Sequence, residues 1–395
     1  MEAMIDRIVN DPAMDLVVVN VENIKEVRRL ETQGIVYYTI PGVNNDRYNY
    51  TSPKAREFWK VILNQEKPEL IELWGTEMPF GIPALDVAGD IPAVVYVQGI
   101  LESIGKYYTS GLTDQELKAA RSFRDVLTHS TIRQQQKKYY RRASLEAEIV
   151  SRCKNIIVEN KWAEAYYKKI CPNVAVHWCP LSISNEFGQV SWSMDKVKPH
   201  SVMCSAANYP IKGLHMLLKA LAIVKKKYPD VTLSIPGTKL KDSMSLKERM
   251  KQNGYDKFIR QQINKLGLGD TVHYTGRLTA AEMAEKMSES HVFVMSSAIE
   301  NHSSTLKEAM TVGVPCVSSY VGGVPEYAQH EENCLLFRYE DYEVMAQEIM
   351  RLFESDELCQ QLSQNASRKM REFGQNFDFY SISKKIYQTI TDSLK

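Results

Sequence analysis

Short apolar, β-branched runs alternate with longer stretches of helical period along the whole chain. In the first half the runs are DLVVVNVE, GIVYYTI, ELIELWG, PAVVYVQG and NIIVEN, interleaved with helical segments such as 53–66 and 113–142. Strands spaced by helices in this way predict βαβ units and a parallel sheet. After CPLSISNEFGQVSWSMDKVKPH the rhythm restarts with SVMCSAAN, a helix over 213–227, VTLSIPG, a helical stretch ending near Leu266, TVHYTG, HVFVMSS and PCVSS. The segment between them, near 183–200, has no clear period and reads as a linker. The pattern therefore predicts two α/β domains. Length agrees, because 395 residues exceed the roughly 250 to 300 at which a single core stops growing.

Composition mainly excludes. Forty-four per cent hydrophobic and 25% charged residues are ordinary for a globular protein. Forty-nine basic residues against forty-eight acidic ones give a net charge of +1, too balanced for nucleic-acid binding along the chain, so any anion must be held locally. The longest uncharged stretch, 309–325, is broken by Gly313, Pro315, Gly322, Gly323 and Pro325 and cannot span a membrane as one helix. The start, MEAMIDRIVNDP, shows no signal peptide, and seven scattered cysteines without a C-x-x-C pair fit a reducing compartment. A cytoplasmic protein is expected. His129, His177, His215 and His302 have no metal-site spacing.

Ligands of open α/β sheets bind at the carboxyl ends of the strands. Three loops of the second half therefore qualify: 207–213, 237–242 and 296–308. In AIENHSSTLKEAM, Glu300 precedes a helix beginning near 303–305, and Glu308 lies in its first turns. A helix N-terminus offers unpaired amides and partial positive charge to a diphosphate. Carboxylates beside it can accept hydrogen bonds from sugar and ribose hydroxyls. The competing reading makes Thr305 to Glu308 a capping box, with Glu308 only satisfying the N-cap amide. In SAANYPIKGLHMLLKAL, Lys212 and Gly213 stand between strand and helix, where an ammonium can meet a phosphate and glycine lets the backbone approach.

IKGLHMLLKALAIVKKKYPDVTLSIPG, VHYTGRLTAAEM and VFVMSSAIENHSSTLKEAMTVGVPCVSSYVGGVPEY followed by ENCLLF resemble the retaining glycosyltransferases of family 4, with their E-x7-E motif. The resemblance implies the GT-B fold, two Rossmann-like parallel-sheet domains facing a cleft. Residues 1–184 would form the acceptor-side domain, with 377–395 crossing back onto it, and 185–376 the nucleotide-sugar donor domain. It further implies that Glu308 holds the ribose, Glu300 the transferred sugar, and Lys212 the diphosphate with amides around Ser303 and Ser304. Gly276 and Arg277 would meet the nucleobase. KPELIELWGTE and PAVVYVQGI would place Glu77, Gln98 and Gly99 on the acceptor side. His302 is a further candidate for contact with sugar or phosphate.

The implied reaction moves a sugar from a nucleotide diphosphate sugar to a glycan or lipid-linked acceptor, in cell-surface polysaccharide assembly. No metal and no cofactor are implied, and a phosphate oxygen takes the acceptor proton. A nucleotide-sugar epimerase of similar architecture and a non-catalytic nucleotide-sugar-binding remnant are the alternatives. The chain departs from the family at Ala206 and Ala207, where glycine and arginine are usual. It departs again at Asn301 and His302, at Cys334, and at Gln98 and Gly99 in place of a histidine. MEAMIDRIV reads as the first helix, so the family's opening strand and glycine-rich loop are expected to be missing. Finally, Arg133, Lys137, Lys138, Arg141 and Arg142, interleaved with Tyr139 and Tyr140, read as a solvated basic helix face, with peripheral contact to an anionic membrane surface as the rival.

Overall fold

The computed structural model describes residues 7–42, 53–205, 209–237 and 251–393. Of the helix expected over MEAMIDRIV only residues 7–9 are among them, and these are helical. Ala206, Ala207 and the loop at 238–242 lie outside the described residues.

The second half builds one six-stranded parallel sheet from β8 (Lys198–Cys204), β9 (Thr232–Pro236), β10 (Val272–Gly276), β11 (Ser290–Met295), β12 (Cys316–Ser319) and β13 (Leu335–Phe337). Its order is β10-β9-β8-β11-β12-β13. Every residue of β11 is buried, because a parallel sheet is covered by helices on both faces and its central strands read as unbroken apolar runs. Burying Phe293 alone is worth about 1.5 to 3 kcal/mol. From β8 the chain steps outward through β9 to β10, then returns to β11 and steps the other way. The loops after β8 and β11 therefore part company between neighbouring strands, and a crevice opens there.

In the first half β4 (Ile71–Trp74), β5 (Ala93–Tyr96), β6 (Lys154–Val158) and β7 (Ala175–Trp178) form a four-stranded parallel sheet. Period-two alternation splits its side chains between two covers. Val95, Ile156 and Val158 pack with Ile149, Val150 and Tyr167, whereas Val94, Tyr96 and Ile157 pack with Phe379, Ile386 and Ile390. The second cover is the helix Phe379–Asp392, which comes from the far end of the chain and is capped by Asp378 accepting from the Ser381 amide at 3.1 Å.

Two expectations are corrected. DLVVVNVE and GIVYYTI do not join this sheet: β1 (Leu16–Glu22) lies parallel to β3 (Ile35–Pro41), and β2 (Arg28–Thr32) pairs antiparallel with β3 in a separate three-stranded sheet. The sequence RRLET of β2 is wholly exposed and has no apolar alternation to betray it. Its hairpin signal is the Gln33-Gly34 turn, both residues at positive φ, as a two-residue turn matched to strand twist requires. The helical stretch 113–142 is likewise three helices, Asp114–Ala119, Phe123–Leu127 and Ile132–Cys153, begun by the caps Thr113, Ser122 and Thr131.

Those short helices knit the halves together. Leu112, Leu117, Ala120 and Ile132 belong to the core of the second sheet. The Gly254 amide donates to Asp125 Oδ2 at 2.6 Å, and a Cβ there would lie 1.9 Å from the Ala120 carbonyl oxygen. Buried His215 meets the Ser110 carbonyl through Nε2 at 2.7 Å. Among the described residues no helix is long and apolar enough to cross a membrane.

Candidate active site

The two loops at the switch point are laced to one another. The turn Pro210–Lys212 ends at Gly213, whose φ of 70° is left-handed. A Cβ at Gly213 would stand 1.7 Å from the Ser296 carbonyl oxygen, so only glycine lets the strand end pass. The Ala298 amide donates to the Ile211 carbonyl at 2.7 Å and Ser296 Oγ to that of Lys212 at 3.1 Å. This brings Lys212 Nζ to 2.6 Å from Glu300 Oε1, with the side chains only 23% and 12% exposed. Burial works against the Lys212 ammonium, but the Glu300 carboxylate and nearby Tyr209 more than offset it and hold its pKa above the ordinary value. The pair leaves two ammonium N–H groups and the second carboxylate oxygen for a ligand.

A glycine turn holds Glu300 from behind. Gly323 donates its amide to the carbonyls of Glu300 and Asn301 at 3.3 and 3.1 Å, and a Cβ on Gly322 would lie 1.8 Å from the Glu300 carbonyl oxygen. The helix Ser304–Val312 follows, capped by Ser303, whose Oγ accepts from the Leu306 amide at 3.4 Å. The capping box of the competing reading, from Thr305 to Glu308, does not form, because the cap lies two residues earlier. Glu308 is thus released from any capping role. Burial, opposed by Lys307, pushes its pKa up to about 7. Ser303 commits its hydroxyl to the cap, so what it and Ser304 offer an anion is the positive end of the helix, whose first amides lack intrahelical acceptors.

The remaining candidates fall into three places. Gly276 ends β10 at the sheet edge with φ of 83°, its carbonyl accepting from the Gly237 amide at 2.7 Å, and Arg277 beside it is exposed. His302 turns inward: it is buried, its Nδ1 lies 3.0 Å from Lys307 Nζ and 3.2 Å from Glu159 Oε2, and burial lowers its pKa. Its Nδ1 thus faces both Lys307 and Glu159, which commits the ring to the contact between halves. Glu77 and Gln98 both border Gly75 at the end of β4, where a Cβ would lie 2.2 Å from Glu77 Oε2 and 3.6 Å from Gln98 Oε1. Burial raises the Glu77 pKa, while its own amide, the Thr76 amide and the charge of Arg142 oppose that rise. Gly99 is buried, and its carbonyl accepts from Tyr167 Oη at 3.1 Å.

Sequence reading missed the residues that position these loops. Glu146, fully buried in the middle of a helix, accepts from Thr76 Oγ1 at 2.6 Å, Tyr167 Oη at 2.9 Å and the Leu101 amide at 3.1 Å. Desolvation pushes its pKa up to about 7 against those hydrogen bonds. It ties the loops after β4 and β5 together, yet a lone glutamate among charged helix residues gives no signal. Asn160 did give one, as an N-cap residue following a strand. It caps the helix Lys161–Ile170 through the Ala163 amide at 2.7 Å and donates Nδ2 to Asn301 Oδ1 at 2.7 Å, reaching across to the Glu300 loop.

Residues 193–369 match the family model described as glycosyl transferases group 1. The MMP alpha-(1->4)-mannosyltransferase of Mycolicibacterium hassiacum is 26% identical over 198 residues, 50% of this chain and 44% of that protein. The N-acetyl-alpha-D-glucosaminyl L-malate synthase of Bacillus anthracis is 30% identical over 114 residues, 29% of each chain. The match thus spans less than half the length of either relative. In structure the chain resembles sucrose-phosphate synthase from Thermosynechococcus elongatus over 100% of its length and 94% of that chain, with a TM-score of 0.72 at 17% identity. Anabaena HepE in complex with UDP and glucose superimposes on 91% of this chain and 87% of its own, at a TM-score of 0.64 and 18% identity. At such identities the likeness is one of fold.

Proposed function

We propose that the chain, whose residues 193–369 match the group 1 glycosyl transferase model and which has the two-domain GT-B fold of its structural neighbours, transfers a sugar from a nucleotide diphosphate sugar to an acceptor hydroxyl. The observation that carries this reading is the Lys212–Glu300 pair at the switch point, beside a helix N-terminus and Glu308. Lys212 and the helix start meet the diphosphate, Glu300 the sugar, and Glu308 the ribose. Arg277 and the backbone at Gly276 lie on the nucleobase side. HepE is described in complex with UDP and glucose, which makes a uridine nucleotide the first donor to test. The acceptor is a glycan or lipid-linked hydroxyl of cell-surface polysaccharide synthesis at the cytoplasmic membrane face. The putative colanic acid glycosyltransferase WcaL of Escherichia coli, 23% identical over 64% of this chain and 58% of its own, supports that setting.

Retention follows if the acceptor attacks from the face the diphosphate leaves and a phosphate oxygen takes its proton. The leaving charge is then met by preorganised donors, the ammonium of Lys212 and the helix amides, rather than by charge that must be recruited. Metal independence belongs to the same reading. A thermal-shift screen of nucleotide sugars tests it: a donor at 100 times its dissociation constant adds about 2.7 kcal/mol of stability. Transfer from the best donor is then followed with excess chelator. Absence of any nucleotide-dependent shift overturns the donor site, and a requirement for magnesium or manganese overturns metal independence.

A further inference from the structure

Glu146 is a buried titratable group that the proposed reaction does not use. It sits in the middle of the helix Ile132–Cys153, and three donors converge on it. Thr76 Oγ1 at 2.6 Å and Tyr167 Oη at 2.9 Å reach Oε1, and the Leu101 amide at 3.1 Å reaches Oε2. Thr76 precedes Glu77 in the loop after β4. Leu101 opens the helix Leu101–Tyr107, whose N-cap residue, Ile100, has no polar side chain to offer. Glu146 therefore supplies, from another helix, the acceptor that a local cap would give. Gln98 and Gly99 stand immediately before that helix start.

Tyr167 gives the arrangement two states. Its hydroxyl carries one proton, yet it stands 2.9 Å from Glu146 Oε1 and 3.1 Å from the Gly99 carbonyl oxygen. When Glu146 is ionised, the carboxylate is the stronger acceptor and takes that proton. Gly99 is buried, so its carbonyl then loses the tyrosine at a cost that favours turning the peptide toward water. When Glu146 is protonated, Oε1 donates to Tyr167 Oη, Tyr167 donates onward to Gly99, and each group in the chain is satisfied. The bonds from Thr76 and Leu101 persist in both states.

The neighbouring groups leave the choice to that one proton. Burial, aided by the charge of Glu77 from the loop after β4, outweighs the three hydrogen bonds and holds the Glu146 pKa up at about 7. On the helix Lys161–Ile170, Tyr166 stands edge-on to Tyr167, 5.2 Å between ring centres, and donates to Glu102 Oε2 at 2.9 Å. Glu102 belongs to the helix that Leu101 opens. On the helix of Glu146 itself, Arg142 lies four residues earlier, its guanidinium carbon 5.7 Å from the centre of the Tyr139 ring.

We propose that Glu146 positions the loop 98–101 and that its proton sets the state of that loop: with the proton in place Tyr167 holds the Gly99 carbonyl, and without it the carbonyl is released. The consequence rests on the acceptor-side reading of Gln98 and Gly99. The loop that meets the acceptor is then held below about pH 7 and loosened above it.

Magnetic resonance of the full chain tests the switch directly. The sequence holds three Gly-Ile pairs, Gly34-Ile35, Gly81-Ile82 and Gly99-Ile100, so carbon-13 in glycine carbonyls with nitrogen-15 in isoleucine gives three correlated signals. Ile100→Val identifies the third by removing it. Titrated from about pH 5.5 to 8.5, the Gly99 carbonyl signal should move upfield as it loses its donor, with a midpoint near 7. In Glu146→Gln, whose amide donates to Tyr167 at every pH, the signal should stay at its downfield value, and in Tyr167→Phe at its upfield one. A Gly99 signal that does not titrate in the unchanged chain, or that still titrates in Glu146→Gln, overturns the switch. UDP affinity by calorimetry should agree within about twofold between Glu146→Gln and the unchanged chain at each pH, because the donor is held on the other wall. A difference of about tenfold overturns the assignment to the acceptor side. Failure of UDP to bind the unchanged chain overturns the donor reading instead, and the Gly99 signal still decides the switch.

Discussion

At the scale of single residues, Lys212 and Glu300 act as one unit, and their mutants should show it. Glu300→Ala frees the ammonium, so nucleoside diphosphate affinity should hold or rise while the sugar-bearing donor loses its advantage; Glu308→Ala should weaken both ligands alike. Calorimetry with the two ligands decides, and equal losses in both variants reject the assignment. Lys212→Ala should cost about 1.5 to 3 kcal/mol in diphosphate binding. For the sugar-bearing donor, to which both changes are costly, the losses from Lys212→Ala and Glu300→Ala should fall short of additivity in the double variant, because each single change also strands a partner at 2.6 Å. Glu308 adds a pH signature. Its folded-state pKa, about 7, lies above the ordinary carboxylate value, so it resists ionising. The cost of its charge is absent well below pH 4.5, grows as pH rises, and is complete above about 7. Ribose recognition needs the carboxylate, so nucleotide affinity should fall up to about tenfold from pH 8 to 6, relative to Glu308→Gln measured across the same range. Parallel pH curves for the two proteins would remove Glu308 from the site.

At the scale of elements, the site exists because turns force strand ends together. Gly213 has φ of 70° and no room for a Cβ beside the Ser296 carbonyl. Gly213→Ala should therefore destabilise by more than about 1 kcal/mol, the order of the backbone strain alone, and weaken donor binding as the Lys212 turn shifts. Gly188→Ala is the control, since nothing lies within 4 Å of a Cβ there, and should stay within about 0.5 kcal/mol. Urea unfolding measures both, and equal midpoints would show that the turn yields freely. The same scale explains why Glu300 and its helix were legible in sequence. Strand, N-cap and helix are local signals, and AIENHSSTLKEAM contains all three. Local reading placed the helix start anywhere from 303 to 305, because Ser303 and Thr305 compete as caps on equal terms and only the course of the chain out of β11 decides for Ser303.

At the scale of the whole molecule, charges buried between the halves hold the cleft's two walls in register. Glu159 follows β6, Lys307 lies in the helix after Glu300, and both are almost wholly buried at 3.8 Å, with His302 between them. Glu326 reaches in the other direction, accepting from the amides of Lys161 and Trp162 at 2.7 and 3.3 Å. Lys307→Met should cost about 3 to 5 kcal/mol, since it strands a buried carboxylate, whereas adding Glu159→Gln should return most of that loss. Denaturation curves of the single and double variants test this. A single variant as stable as the parent would place Glu159 in contact with water.

The sequence by itself determined what neighbouring residues decide together. Its alternation of apolar runs and amphipathic stretches specifies two parallel-sheet regions, and its carboxylates, lysine and glycines at strand ends specify where an anion can bind. Tertiary structure alone decided what depends on residues far apart in the chain. It paired Lys212 with Glu300, 88 residues on. It turned His302 toward Glu159 and buried Glu146 behind the acceptor-side loops. It also drew Leu112, Leu117 and Ala120 into the core of the other half. None of these has a local period, because burial and pairing across a domain contact reward each residue for its place in space and leave its neighbours in sequence free to be polar.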